Sequence, residues 1–122
     1  MSKDIRYRHR DDVTVDLLIR TGMPKNIAKA LVFLATRGET TSVEVEKATG
    51  LRQPEVSIAM QELRRRKWVE KRDIKKEGKG RPVHAYRLAL AMADILEEIT
   101  REERVKIEEI QATIRQIKRQ AG

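Results

Sequence analysis

The chain has 122 residues, 39% hydrophobic and 38% charged, with 27 Lys and Arg against 19 Asp and Glu and a formal net charge of +8. That composition supplies one core under a heavily charged surface, and its cationic excess favours polyanionic partners. The absence of cysteine excludes disulfides, thiolate zinc sites and thiol-based redox sensing.

The two histidines, His9 and His84, are too far apart in sequence to have paired metal-ligand spacing, so no metal or other cofactor is expected. The opening "MSKDIRYRHRDD" has no apolar core of a secretory signal, and no apolar run approaches membrane-spanning length. These features predict a cytoplasmic protein with no membrane partner. The charge is unevenly spread. Residues 1–51 carry nine cations and seven anions, residues 52–87 twelve and five, and residues 88–122 six and seven. Nearly all the excess lies in the middle third.

Residues 1–12 read as a basic arm with Lys3, Arg6, Arg8 and Arg10, which either orders on a polyanion or frays. A short helix follows over "DVTVDLLIR", with Val15, Leu18 and Ile19 on one face. Gly22 breaks the chain, and Pro24 is placed to open a second helix. In that helix Ile27, Ala30, Leu31 and Leu34 recur at steps of 0, 3, 4 and 7, and Gly38 is placed as its C-cap. Thr41 and Glu44 have capping-box spacing before a short helix whose inner surface is expected from Val43, Val45 and Ala48, and which Gly50 ends.

After "TGLRQ", Pro54 opens the helix "PEVSIAMQELRRRKW". Val56, Ala59, Met60, Leu63 and the stem of Lys67 are expected on its inner side, with Ser57, Ile58, Gln61 and Arg65 opposite. From Trp68 the period changes. "WVEKRDIK" and "RPVHAYRL" read as two strands joined by the glycine-bearing turn "KEGKG", a β-hairpin. Trp68 and Tyr86 read as packing residues, and His84 as a packing or hydrogen-bonding residue.

Residues from about 89 to 120 contain no Gly or Pro and predict one helix of roughly 48 Å. Its apolar positions are Met92, Leu96, Ile99, Ile107, Ile110, Ile114 and Ile117. The last four have the 3-4-3 spacing of a coiled-coil seam. Ile99, Glu103 and Ile107 are separated by two steps of four, a stutter.

Helix, helix, tight turn, helix and hairpin is the order of a winged helix-turn-helix. The expected fold class is therefore mostly α with a small β-hairpin: a basic N-terminal arm (1–12), a winged helix-turn-helix domain (13–88) and a long C-terminal dimerisation helix (89–122). The helix after the turn, third in that plan, has the width to enter a DNA major groove. Gln53, Ser57, Ile58 and Gln61 are its candidate base-reading residues: amides for adenine edges and an aliphatic surface for a thymine methyl. Arg52, Arg64 and Arg65, with Lys75, Lys76, Lys79 and Arg81 on the wing, are candidates for phosphate or minor-groove contact. Glu55 is read chiefly as stabilising the start of its helix. The seven apolar positions of the last helix are candidates for homodimerisation, because a rod of that length outruns the domain and leaves its stripe exposed alone.

The stretch from "TTSVEVEKATGLRQPEVSIAMQELRRRKWVEKRDIKKEGKGRPVHAYRL" resembles the DNA-binding domain of archaeal TrmB-like and bacterial MarR-like winged-helix regulators, over roughly residues 13–88. The resemblance implies a dimeric regulator on a pseudo-palindromic operator. It also implies that Gln53, Glu55, Ser57, Ile58 and Gln61 face bases and that Arg81 lies on the wing. The C-terminal sugar-binding domain of full-length TrmB-like regulators is not matched here, where only a helix is read, so sugar sensing is not carried over. The cysteine clusters of ArsR-like metal sensors are likewise unmatched.

The leading expectation is a sequence-specific regulator of double-stranded DNA, acting as a homodimer whose two reading helices enter successive major grooves. The alternative is a winged-helix module for protein interaction or RNA binding in a larger assembly. With no nucleophile–base pair, phosphate-binding glycine loop or metal spacing, an enzyme is not expected. No effector ligand is identified.

Overall fold

A computed structural model describes the backbone of residues 2–74 and 83–122, and the side chains of residues 11–74 and 83–122. Its elements are α1 (Ser2–Arg20), α2 (Lys25–Arg37), β1 (Thr40–Thr41), α3 (Ser42–Thr49), α4 (Gln53–Arg65), β2 (Val69–Ile74), β3 (Val83–Leu88) and α5 (Met92–Ala121). They form two compact units, residues 1–91 and 92–122.

In the first unit α1 supplies Val15 and Leu18, α2 supplies Ala28, Ala30, Leu31, Val32 and Leu34, and α4 supplies Val56, Ala59, Met60 and Leu63. Trp68 is 1% exposed, and Val69, Ala85 and Tyr86 bring the sheet onto the same core. On α4 the residues Val56, Ala59, Met60 and Leu63 are buried as their spacing predicts. On α2 Ala30, Leu31 and Leu34 are buried, while Ile27 is half-buried and Ala28 and Val32 are buried beside them. Of the expected inner surface of α3 only Val45 is buried, and Val43 and Ala48 are exposed. α1 differs from its expected extent. It begins at Ser2, so the basic segment continues the helix over Asp11–Arg20; no Gly or Pro interrupts those residues and nothing in them opposes helix.

Local chemistry sets the boundaries around α3 and α4. Gly38 has φ 79° and donates its N–H to Leu34 O at 3.0 Å, closing α2. Thr41 Oγ1 accepts from the Glu44 N–H at 3.3 Å, while the Glu44 carboxylate accepts from the Thr41 N–H at 2.8 Å. This capping box satisfies donors that the first turn of α3 leaves unpaired.

Gly50 is left-handed (φ 75°, ψ 4°) and donates to Glu46 O at 2.9 Å, reversing the chain between α3 and α4. Leu51 is buried beneath that turn. Two side chains from α2 hold the turn from outside. Lys29 Nζ donates to Thr49 O (3.2 Å), and Asn26 Nδ2 donates to Glu55 O (3.3 Å).

The exit from α4 departs from expectation. Lys67 does not extend the inner stripe of the helix. It has φ 64°, is exposed, and forms the turn that lets Trp68 N–H reach Leu63 O at 3.1 Å. Arg66 instead lies against the core edge, with its guanidinium 4.4 Å from the centre of the Trp68 ring.

The hairpin is antiparallel, with Val69 opposite Leu88 and Ile74 opposite Val83. A third strand adds to it. β1 pairs antiparallel with β3, Thr40 opposite Tyr86, giving the order β1-β3-β2. The sequence predicts only the hairpin, because two residues are too few to display a period of two.

The second unit is α5, 30 residues or about 45 Å. Ile107, Ile110, Ile114 and Ile117 are 46–60% exposed. Lys106 Nζ lies 3.1 Å from the Glu103 carboxylate, pairing the one charged residue in the apolar register with its neighbour a turn later.

Candidate nucleic-acid interface

α4 turns Val56, Ala59, Met60 and Leu63 inward, so at about 100° per residue its opposite side is centred on Pro54, Ile58, Gln61 and Arg65. Gln53, Ser57 and Arg64 flank that line on one edge, and Glu55 and Glu62 on the other. Gln53, Gln61, Arg64 and Arg65 are exposed, Ser57 is half-exposed, and Ile58 is 58% exposed. An isoleucine this open on a helix whose other aliphatic residues are buried fits contact with an apolar group outside the chain. The four candidate base-reading residues thus share one outward surface.

The start of α4 is held by its own acid. Glu55 Oε1 accepts from the Arg52 N–H at 2.9 Å, which gives that carboxylate a structural task at the first turn. The Arg52 side chain is exposed beside it.

The cations of this region fall into two groups. Arg65 donates twice to Glu62, from Nε at 2.9 Å and from a terminal nitrogen at 2.6 Å. Arg66 Nε adds a third bond to the same carboxylate at 3.3 Å. These bonds, that of Arg65 first, hold the Glu62 carboxyl below the usual carboxylate range. Arg72 forks onto Glu39 at 2.9 and 2.7 Å, lowering the Glu39 pKa and raising its own. Arg87 Nε lies 3.0 Å from Glu70 across the hairpin. Arg87 lies opposite Glu70 by register, and Glu39, just before β1, feels the Arg87 charge as well as Arg72, so this face of the sheet neutralises its own charge.

Arg52, Arg64, Lys67 and Lys71 form the second group: all are exposed, and among the described residues none takes part in an ion pair. Arg64 and Arg65 are neighbours in sequence yet differ in this respect. The candidates Lys75, Lys76, Lys79 and Arg81 lie outside the described residues. The strands on either side of them end at Ile74 and Val83, which are paired, so the segment connects the two arms of the hairpin.

The packing candidates are placed as read: Trp68 is buried, Tyr86 is 9% exposed, and His84 Nδ1 lies 2.7 Å from Asp73 Oδ1 across the hairpin. On α5, Met92 is half-buried, Ile99 is buried, Leu96 is exposed, and the four later isoleucines are exposed. Ile95, which the sequence reading passed over, is fully buried. Among the described residues no group of three or more His, Asp or Glu is arranged to hold a metal ion, and no helix is long and apolar enough to cross a membrane.

A helix presented outward behind a glycine turn, beside a sheet whose β2–β3 arms form a hairpin and whose edge is the short β1, decides the fold. It is a winged helix-turn-helix. Solved structures of that fold superpose on the chain. TrmBL2, described as an archaeal chromatin protein with a novel mode of DNA binding, matches with a TM-score of 0.70 at 19% identity over 90% of this chain. A possible transcriptional regulator from Methanosarcina mazei matches at 0.58 and 12% identity, covering 73% of this chain and 77% of that one. A MarR variant from E. coli complexed with operator DNA matches at 0.51 and 18% identity, covering 82% and 70%. This chain spans 41% of the length of TrmBL2. No protein-family model and no curated protein matches it. The winged helix is therefore shared with TrmB-like and MarR-like structures at identities that establish fold.

Proposed function

We propose that this chain is a transcriptional regulator that binds double-stranded DNA sequence-specifically as a homodimer, with α4 in the major groove and the wing on flanking backbone or minor groove. The observation that carries this reading is the outward surface of α4. Gln53, Ser57, Ile58 and Gln61 stand together on it, Arg52 and Arg64 border it without ion-pair partners among the described residues, and the hairpin lies next in the chain. Amides and an aliphatic group recognise base edges, and unpaired arginines recognise phosphate. The operator DNA held by the MarR neighbour and the DNA binding ascribed to TrmBL2 support the same reading.

Dimerisation is assigned to α5. Four isoleucines at 3-4-3 spacing and 46–60% exposure are an apolar seam that a second copy of the helix would bury. Each reading helix would then meet one half-site, and twofold symmetry in the protein would be mirrored in the DNA.

Competition between duplex DNA, A-form RNA and single-stranded RNA for the protein tests the reading. Duplex DNA should win, and Gln61→Ala should narrow the gap between preferred and random duplexes. Preference for either RNA would support the alternative of an RNA-binding module instead.

A further inference from the structure

The hairpin register places Lys71 opposite Tyr86 and Asp73 opposite His84. Side chains alternate along a strand, so these four share one face, the face that Tyr86 turns toward the core. Asp73 and His84 stand one same-face rung nearer the connecting segment, where core cover ends, and their side chains are 56% and 42% exposed. Tyr86 links this rung to α4. Its hydroxyl pKa is raised first by burial, and the charges of Arg64 and Asp73 act on it in opposite senses. The pair therefore stands on the side of the hairpin reached by the border of α4's exposed surface. Among the described residues, the charged or titratable groups on this side are Asp73 and Lys71 from β2, Tyr86 from β3 and Arg64 from α4. β1 contributes the uncharged Thr40, opposite Tyr86.

A cross-strand His–Asp pair commonly does no more than support the sheet. Its position here adds a consequence. A carboxylate on the side of the wing that faces DNA opposes a phosphate, unless something cancels its charge. His84 Nδ1 lies 2.7 Å from Asp73 Oδ1. With the Nδ1 proton donated to the carboxylate, Nε2 points away from it. In the neutral ring Nε2 is a bare acceptor, which cannot bond a phosphate oxygen, and the pair carries a net negative charge. In the imidazolium Nε2 becomes a donor and the pair is neutral.

We propose that His84 is a proton-dependent phosphate contact on the duplex-binding face, oriented by Asp73. The inference rests on the DNA-binding reading above and adds to it a residue and a condition. Phosphate binding favours the protonated pair, so the contact strengthens on acidification and weakens as pH rises. One proton is taken up, which limits the steepness to about tenfold in affinity per pH unit.

The test is fluorescence anisotropy with one duplex at constant ionic strength, across the range of about pH 5 to 8 in which histidines change charge. The wild type should tighten severalfold on acidification. His84→Gln should bind at acid pH as the wild type does at the alkaline end, with most of the pH dependence gone. Asp73→Asn should bind more tightly than wild type at the alkaline end, because it removes an anion that faces phosphate. Arg64→Ala should bind more weakly at every pH with the wild-type pH profile, and a His9→Gln control should keep that profile too. If His84→Gln retains the wild-type profile, or if Asp73→Asn weakens binding at the alkaline end while remaining folded by circular dichroism, this inference is overturned and the DNA-binding reading stands. Absence of duplex binding at every pH overturns both.

Discussion

Glu62→Gln is expected to tighten DNA binding, although it removes the residue with the most side-chain hydrogen bonds on α4. In the free protein the Glu62 carboxylate holds two bonds from Arg65 and one from Arg66. That fork is the geometry in which arginine would otherwise grip a phosphate. Converting Glu62 to an amide removes one negative charge from the edge of the reading surface and leaves one fork nitrogen of Arg65 to seek another acceptor. The exposed pair contributes only about 0.2–1 kcal/mol to folding, so the variant should fold normally.

If the released Arg65 makes one further phosphate contact, the slope of log affinity against log salt should steepen by about 0.9. Over a fourfold rise in salt, from about 50 to 200 mM, that increment alone means an extra loss of roughly 3.5-fold, matched by tighter binding at the low-salt end. Fluorescence anisotropy at four or five salt concentrations reads both quantities, with Arg64→Ala as the opposing control that should make the slope shallower by a similar amount. Weaker binding by Glu62→Gln with an unchanged slope would refute the reasoning. Glu62 would then be orienting Arg65 for a contact that it already makes.

Four other outcomes follow from the same geometry. Thr41→Ala removes the capping hydroxyl of α3 and should cost about 1 kcal/mol, read as a lower melting temperature. The Glu44 carboxyl, held below its ordinary value first by the Thr41 N–H, supplies stability that is present above the unfolded pKa near 4.5. That stability should fade as pH falls through the folded value, and denaturation curves should show less acid sensitivity in Glu44→Gln. Gly50→Ala should also destabilise by about 1 kcal/mol, because φ is +75° while no atom lies within 4 Å of the added carbon, so the cost is conformational rather than steric. Ile110→Lys combined with Ile114→Lys should yield monomers in sedimentation velocity and leave thermal unfolding of the first unit in place; an unchanged dimer would remove α5 as the seam.

How much of this was legible in the sequence depended on how local its cause was. α2 and α4 announce themselves because Ile27, Ala30, Leu31 and Leu34, and Val56, Ala59, Met60 and Leu63, repeat at helical spacing. The capping box of Thr41 and Glu44 is a contact three residues apart and reads directly. Gly50 reads because a reversal between two helices calls for a left-handed residue. Contacts set by tertiary pairing do not read this way. Glu39 and Arg72 meet across 33 positions, and only the β1-β3-β2 order brings them together. β1 is two residues long and has no pattern. Lys67 carries a positive φ that glycine usually takes, so the sequence continues the helix through it where the chain turns. Within the site, Gln53, Ser57, Ile58 and Gln61 follow from helical geometry. The distinction between Arg64 and Arg65 follows from it too, since Glu62 lies three residues before Arg65, on the same side of the helix, but two before Arg64, on the opposite edge.

Selection of bound fragments from a pool of random duplexes tests the central claim most directly. The account predicts enrichment of a motif with twofold symmetry and half-sites about one helical turn apart, with base preferences that change in Gln61→Ala and persist in Arg64→Ala. Recovery of duplexes with no enriched motif, at salt where binding is still measurable, would contradict it and leave a winged helix that grips the backbone alone.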